Sequence, residues 1–205
     1  MQRVIFFIFL SLMIIPISVW AALSCTVSTA AACTGGTNVV ILRMSGSSNA
    51  HAELPTQSGA QFASNVICCS GSATLGNACS GNNTTVVKLK ASSNSHVEQS
   101  GQSNFTLPAC ISDTNLANTL SIAYQSSCAG YDTTMGSISA VTNAHIGDQN
   151  SFSTKICAKI NTPPTLTFSN DDATIGFGSL SNVSATYANG ATTGSLTDVT
   201  ANTFS

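Results

Sequence analysis

After an almost unbroken apolar run over residues 4–19, the chain turns to short alternating segments set among Ser, Thr, Asn and Gly. Arg3 precedes the run and Val19-Trp20-Ala21 closes it, the layout of a secretory signal spanning residues 1–21. The run is shorter than the roughly 20 residues that span a bilayer, and Pro16 interrupts it. No Lys or Arg follows until Arg43, so a cleaved signal is expected rather than a retained anchor. No later stretch is long and apolar enough to cross a membrane after that cleavage.

Beyond the leader, one alternating pattern recurs three times. Met44, Leu89 and Ile138 are apolar, and each is flanked by polar neighbours: Arg43 and Ser45, Lys88 and Lys90, Ser137 and Ser139. Such a period of two predicts a half-buried strand. A polar turn ending in Asn follows each time, and Asn tolerates the left-handed backbone that such turns need. A short second strand then carries Ala52, Val97 or Ile146 inward, and a third strand is expected over 62–70, 105–111 and 152–160. Helical periodicity is absent apart from a weak pattern over 115–120.

The three His residues of the chain mark this repeat, in the phrases Asn49-Ala50-His51-Ala52-Glu53, Asn94-Ser95-His96-Val97-Glu98 and Asn143-Ala144-His145-Ile146-Gly147-Asp148. They are spaced by 45 and 49 residues, within the range of repeat architectures. A Cys precedes each His (Cys33, Cys79, Cys128), and a Gln, a Phe and a closing Cys (Cys68, Cys110, Cys157) follow in that order. The expected fold is therefore all-β: three disulfide-stapled β repeats within residues 22–160, sandwich-like or stacked, with a closed β-trefoil-like body as the alternative. About three strands per unit are legible where a trefoil needs four, which favours the open arrangements.

An exported chain meets an oxidising compartment, so the eight Cys should pair. The repeat favours Cys33–Cys68, Cys79–Cys110 and Cys128–Cys157, leaving Cys25 and Cys69 for each other. Closing loops of this length stabilises each unit by about 3–4 kcal/mol in the chain-entropy model. There is no C-x-x-C pair to suggest zinc on thiolates.

Residues 161–164, Asn161-Thr162-Pro163-Pro164, form a linker, because consecutive Pro cannot join a sheet ladder. Residues 165–205 lack Cys and His and alternate over 165–169, 173–177 and 183–187, as the start of a second β-sandwich module. So short a stretch cannot close a sandwich, and a truncated module is expected.

The phrases around Asn49-Ala50-His51-Ala52-Glu53, Ile67-Cys68-Cys69-Ser70 and Asn143-Ala144-His145-Ile146-Gly147-Asp148 resemble uncharacterised exported Cys-rich repeat proteins of candidate-phyla bacteria. The resemblance covers residues 25–160 and implies bacterial export, with no activity or ligand attached. Leu166-Thr167-Phe168-Ser169 and Phe177-Gly178 similarly resemble the opening of β-sandwich modules of bacterial surface proteins.

Composition narrows the function. Charged residues are 7 % of the chain and the net charge is −2, which excludes the basic footprint of nucleic-acid binding. There is no G-x-S-x-G elbow, P-loop or dinucleotide fingerprint, every Cys has a partner, and no enzyme activity or cofactor is expected. The repeated polar positions His51, Glu53, His96, Glu98, His145 and Asp148 are the candidate ligand contacts. Parity places His51 with Glu53, and His96 with Glu98, on the outward face of the second strand. Three such His could meet on one Zn or Cu ion only if the units closed around an axis. One His per unit offers no local chelate, and Gly147 stands where the other units have Glu. The expectation is therefore a structural turn and no high-affinity metal site. The function expected is a secreted or cell-surface structural or adhesive protein. The alternative is an extracellular module for carbohydrate or, at the His, a metal. Surface glycans or other cell-surface proteins are the expected partners.

Overall fold

The computed structural model describes residues 22–57 and 60–163, together with the backbone of 166–170 and 183–187. The leader and most of the region after the linker lie outside these residues, and with them the expected signal and second module. From 166 onward the described backbone is one antiparallel hairpin, β13 (Leu166–Asn170) with β14 (Val183–Tyr187).

The described chain is all-β, with three four-stranded antiparallel sheets and no helix. The first unit contains β1 (Ser24–Ser28), β2 (Val39–Met44), β3 (Ala52–Glu53) and β4 (Asn65–Ser70). The second contains β5 (Leu75–Gly76), β6 (Asn83–Leu89), β7 (Val97–Glu98) and β8 (Leu107–Asp113). The third contains β9 (Thr119–Gln125), β10 (Thr133–Ile138), β11 (Ile146–Gly147) and β12 (Thr154–Asn161). In each of these three sheets the spatial order is first, fourth, second, third.

Each unit thus holds four strands rather than three. The strand that sequence patterning passed over is the first. β5 is only two residues long, and every residue of β9 is partly or largely exposed, so neither shows clean alternation. The weak helical pattern over 115–120 resolves as a turn leading into β9.

A one-residue bulge interrupts the ladder between the second and fourth strands of every unit, at Ile41, Val86 and Met135. Each lies ten residues before its unit's His. A bulge leaves one residue unpaired and bends the strand, and here the extra side chain is driven into the centre: all three are buried. They join Met44, Leu89 and Ile138, Ala52, Val97 and Ile146, and Ile67, Ile111 and Ile156 in one core cluster drawn from all three units. No unit has a core of its own.

Cyclic contacts close the units on one another. Ala52 bridges Ser95, Val97 bridges Ala144 and Ala50 bridges Ile146, each through two backbone hydrogen bonds of 2.8–3.0 Å. A third bond extends each junction: Leu54 N–H to Ser92 O, Gln99 N–H to Val141 O and Asp148 N–H to Ser47 O. At the periphery, Cys25 N–H donates to Thr133 Oγ1, Asn77 Nδ2 to Val40 O and Tyr124 Oη to Val86 O, so side chains bridge every junction as well. The arrangement is a ring with pseudo-threefold symmetry, and its junctions are hydrogen-bonded rather than covalent. The four disulfides, Cys25–Cys69, Cys33–Cys68, Cys79–Cys110 and Cys128–Cys157, are the pairs the repeat predicts, and each lies inside one unit. Among the described residues no cysteine is free.

Candidate metal centre at the ring axis

The turn before each short third strand ends in an Asn with positive φ: Asn49 at 46°, Asn94 at 45° and Asn143 at 47°. These are the positive-φ residues other than Gly among those described. The reversal lets the chain enter the inter-unit bridges directly, with Ala50, Ser95 and Ala144 buried against the neighbouring unit. The next residue is His, whose ring therefore projects away from the core. Hydroxyls pin this corner: Ser45 Oγ accepts from His51 N–H and Ser139 Oγ from His145 N–H, at 3.0 and 2.9 Å.

Because the units form a ring, the three outward imidazoles meet on its axis. Ring centroids are 4.8 Å apart for His51–His96, 5.1 Å for His51–His145 and 4.6 Å for His96–His145. One ligand nitrogen from each lies within 4.8 Å of the others. The expectation that the His stay apart is overturned. It rested on the strand count, and the first strand of each unit, which brings that count to four, leaves little trace in the sequence.

Hydrogen bonding settles which nitrogen is available. His51 Nδ1 lies 2.7 Å from Asn94 Oδ1, His96 Nδ1 lies 2.7 Å from Asn143 Oδ1, and His145 Nδ1 lies 2.6 Å from Asn49 Oδ1. A carbonyl oxygen can only accept, so in a neutral ring Nδ1 carries the proton and Nε2 keeps its lone pair. Each acceptor belongs to the next unit around the ring. Partial desolvation, and after it the neighbouring His96 and His51, hold His145 below its ordinary imidazole value.

Three clustered imidazoles, each with an Nε2 lone pair to offer, suit a cation that takes imidazole nitrogen, such as Zn²⁺ or Cu²⁺. Zn–N distances near 2.1 Å in tetrahedral geometry put ligand nitrogens about 3.4 Å apart, so each ring would move inward by under about 1 Å. The residues flanking the three His on their strands, Ala50, Ala52, Ser95, Val97, Ala144 and Ile146, are buried, and the one hydroxyl among them, Ser95 Oγ, is engaged with Ala91 N–H and His96 O. A fourth ligand would come from solvent.

The carboxylates are elsewhere. Glu53 and Glu98 are fully buried, not outward beside the His as strand parity predicted. Glu53 accepts the backbone N–H groups of Gln61 and Phe62, and Glu98 accepts Phe105 N–H and Asn104 Nδ2. The connection into the fourth strand folds back over that face and covers it, an event that parity within a two-residue strand cannot register. Asp148 accepts Asn150 N–H and Ser151 Oγ within its own loop. Of the six candidate ligand contacts, the fold brings together the three His and turns the three carboxylates to loop closure. The Asn two residues before each His are the site residues that sequence reading valued only as turn formers. Their recurrence at one offset was the available signal.

No family model matches the chain, and neither a curated protein nor a solved structure matches it.

Proposed function

We propose that the protein is a secreted or surface-displayed β scaffold whose function is to hold a divalent d-block metal ion at His51, His96 and His145. The observation that carries this reading is the meeting of three imidazoles from three separate units, each with Nδ1 committed to a carbonyl and Nε2 left as a donor. Three protein ligands with a solvent-supplied fourth make an open, exchangeable site. Four disulfides and a surface with few charges support an extracellular setting, as does the leader-like run over residues 4–19. Within the described residues no helix is long and apolar enough to cross a membrane.

The structural or adhesive role expected from composition becomes the scaffold's part in this reading. A glycan has a weaker claim. The cavity between β1 and β10, about 190 Å³, is lined by Thr26, Val27, Thr134, Met135, Asp148, Gln149 and Asn150, with no aromatic ring for a sugar face.

The test is metal content. Chelator-stripped protein dialysed against Zn²⁺ should retain one ion per chain by elemental analysis, and His51→Ala, His96→Ala or His145→Ala should each abolish that retention. Zn²⁺ retention no greater in the wild type than in the triple His→Ala variant would overturn the metal reading.

A further inference from the structure

We propose that Asn49, Asn94 and Asn143 are positioning residues of the axial site, each presetting the imidazole of the neighbouring unit for metal binding. The proposal rests on the metal reading above and adds to it a second, independent set of three residues.

Backbone geometry alone does not account for them. A φ near +46° is open to Gly without cost and to Asn at a small one, so a turn formed only for its shape would accept either. The chain has Gly at positive φ at five other described positions, yet uses Asn at all three corners beside the axis. What Asn adds is Oδ1, and in every unit that atom is at 2.6–2.7 Å from an Nδ1 across a unit junction. A metal-bound His ordinarily donates its second ring N–H to such an acceptor, which fixes both tautomer and ring orientation. Here such an acceptor stands beside all three rings.

The connectivity is cyclic. His51 is held by the second unit, His96 by the third and His145 by the first. Each Asn lies two residues before its own unit's His, so a displaced unit withdraws one ligand and one acceptor together. The disulfides lie within units and cannot oppose that displacement. Ion binding and the alignment of neighbouring units are therefore linked, and an ion bound only by the closed ring stabilises closure by mass action.

The test uses the full chain and the pair Asn94→Gly and Asn94→Asp. Gly keeps the backbone conformation and deletes the acceptor; Asp keeps an acceptor oxygen and tolerates the same φ. Zn²⁺ affinity, measured by competition with a chelating dye, should fall about 10- to 100-fold in Asn94→Gly and return to at least the wild-type value in Asn94→Asp. Metal-free thermal stability should be little changed in the Gly variant, which separates positioning from folding. Wild-type affinity in Asn94→Gly would overturn the proposal while leaving the metal site standing. Nitrogen NMR of the metal-free wild type supplies a readout that does not need the ion. His51 should be the Nδ1–H tautomer and should lose that preference in Asn94→Gly. A wild-type His51 protonated on Nε2 instead would overturn the proposal even if Zn²⁺ binds, and a wild type that binds no Zn²⁺ fails the metal reading itself.

Discussion

The first two units and the third close the same loop by different chemistry. In the first, Arg43 stands opposite Glu53 across the β2–β3 ladder, and in the second Lys88 stands opposite Glu98. Each cation reaches loop carbonyls, Arg43 those of Pro55 and Phe62 and Lys88 that of Gln102. Each carboxylate takes loop N–H groups, so a buried carboxylate and a half-buried cation together satisfy both polarities of the covering loop. The third unit has Ser137 opposite Gly147. The Ser137 hydroxyl donates to Asp148 O and accepts Phe152 N–H, while Lys155 Nζ donates to Phe152 O. Ser151 fills the space of the missing carboxylate so fully that a Cβ on Gly147 would lie 2.5 Å from the Ser151 Cβ.

The clamp has diverged between units while the Asn–His corner has the same φ, spacing and hydrogen bond in all three. Loop closure can be achieved unit by unit, because its partners are local. The axial ring is shared, so a change in one unit is felt by the other two. That contrast supports a role for the His beyond being carried along in a duplicated turn.

The carboxylate and hydroxyl clamps can be broken separately. Glu53→Ala removes the acceptor for two backbone N–H groups in a buried site and should destabilise the protein by about 2–4 kcal/mol, read as a shift in the denaturant midpoint. Ser137→Ala, the third-unit equivalent, leaves one N–H without its acceptor and should cost about 1–2 kcal/mol. Equal losses would remove the distinction between the two clamps.

Gly147→Ala should cost about 1–3 kcal/mol by overpacking against Ser151, and Ser151→Gly in the same chain should recover most of it. A neutral Gly147→Ala would mean that the third loop yields freely.

The smallest effect concerns acid. The Asn150 N–H, then the Ser151 hydroxyl, hold the Asp148 carboxyl below its ordinary value despite some opposing desolvation. A depressed folded-state pKa contributes stability above the unfolded value near 3.8, and that contribution is lost as pH falls through the folded value. Hydrogen exchange around Asn150 and Ser151 should accelerate on acidification through this window in the wild type. In Asp148→Asn the acid-dependent part should be absent, with the two Glu-clamped loops unaffected by that substitution.

Much of this molecule was legible as text because its determinants are local. Alternation around Met44, Leu89 and Ile138 placed one strand per unit, and all three side chains are buried. The recurring order of Cys, His, Phe and Cys predicted the disulfides, since a repeated fold brings equivalent cysteines into equivalent positions. The Asn before each His announced a left-handed turn, which the backbone adopts. Three things depended on the tertiary structure. Closure of the ring depends on backbone bonds between units, and peptide N–H and C=O groups are the same at every position. The burial of Glu53 and Glu98 depends on a loop folding over a face that parity marks as outward. The meeting of three imidazoles follows only once the ring has closed, because a sequence offset sets where a side chain leaves its own strand and not which other unit's side chain it meets.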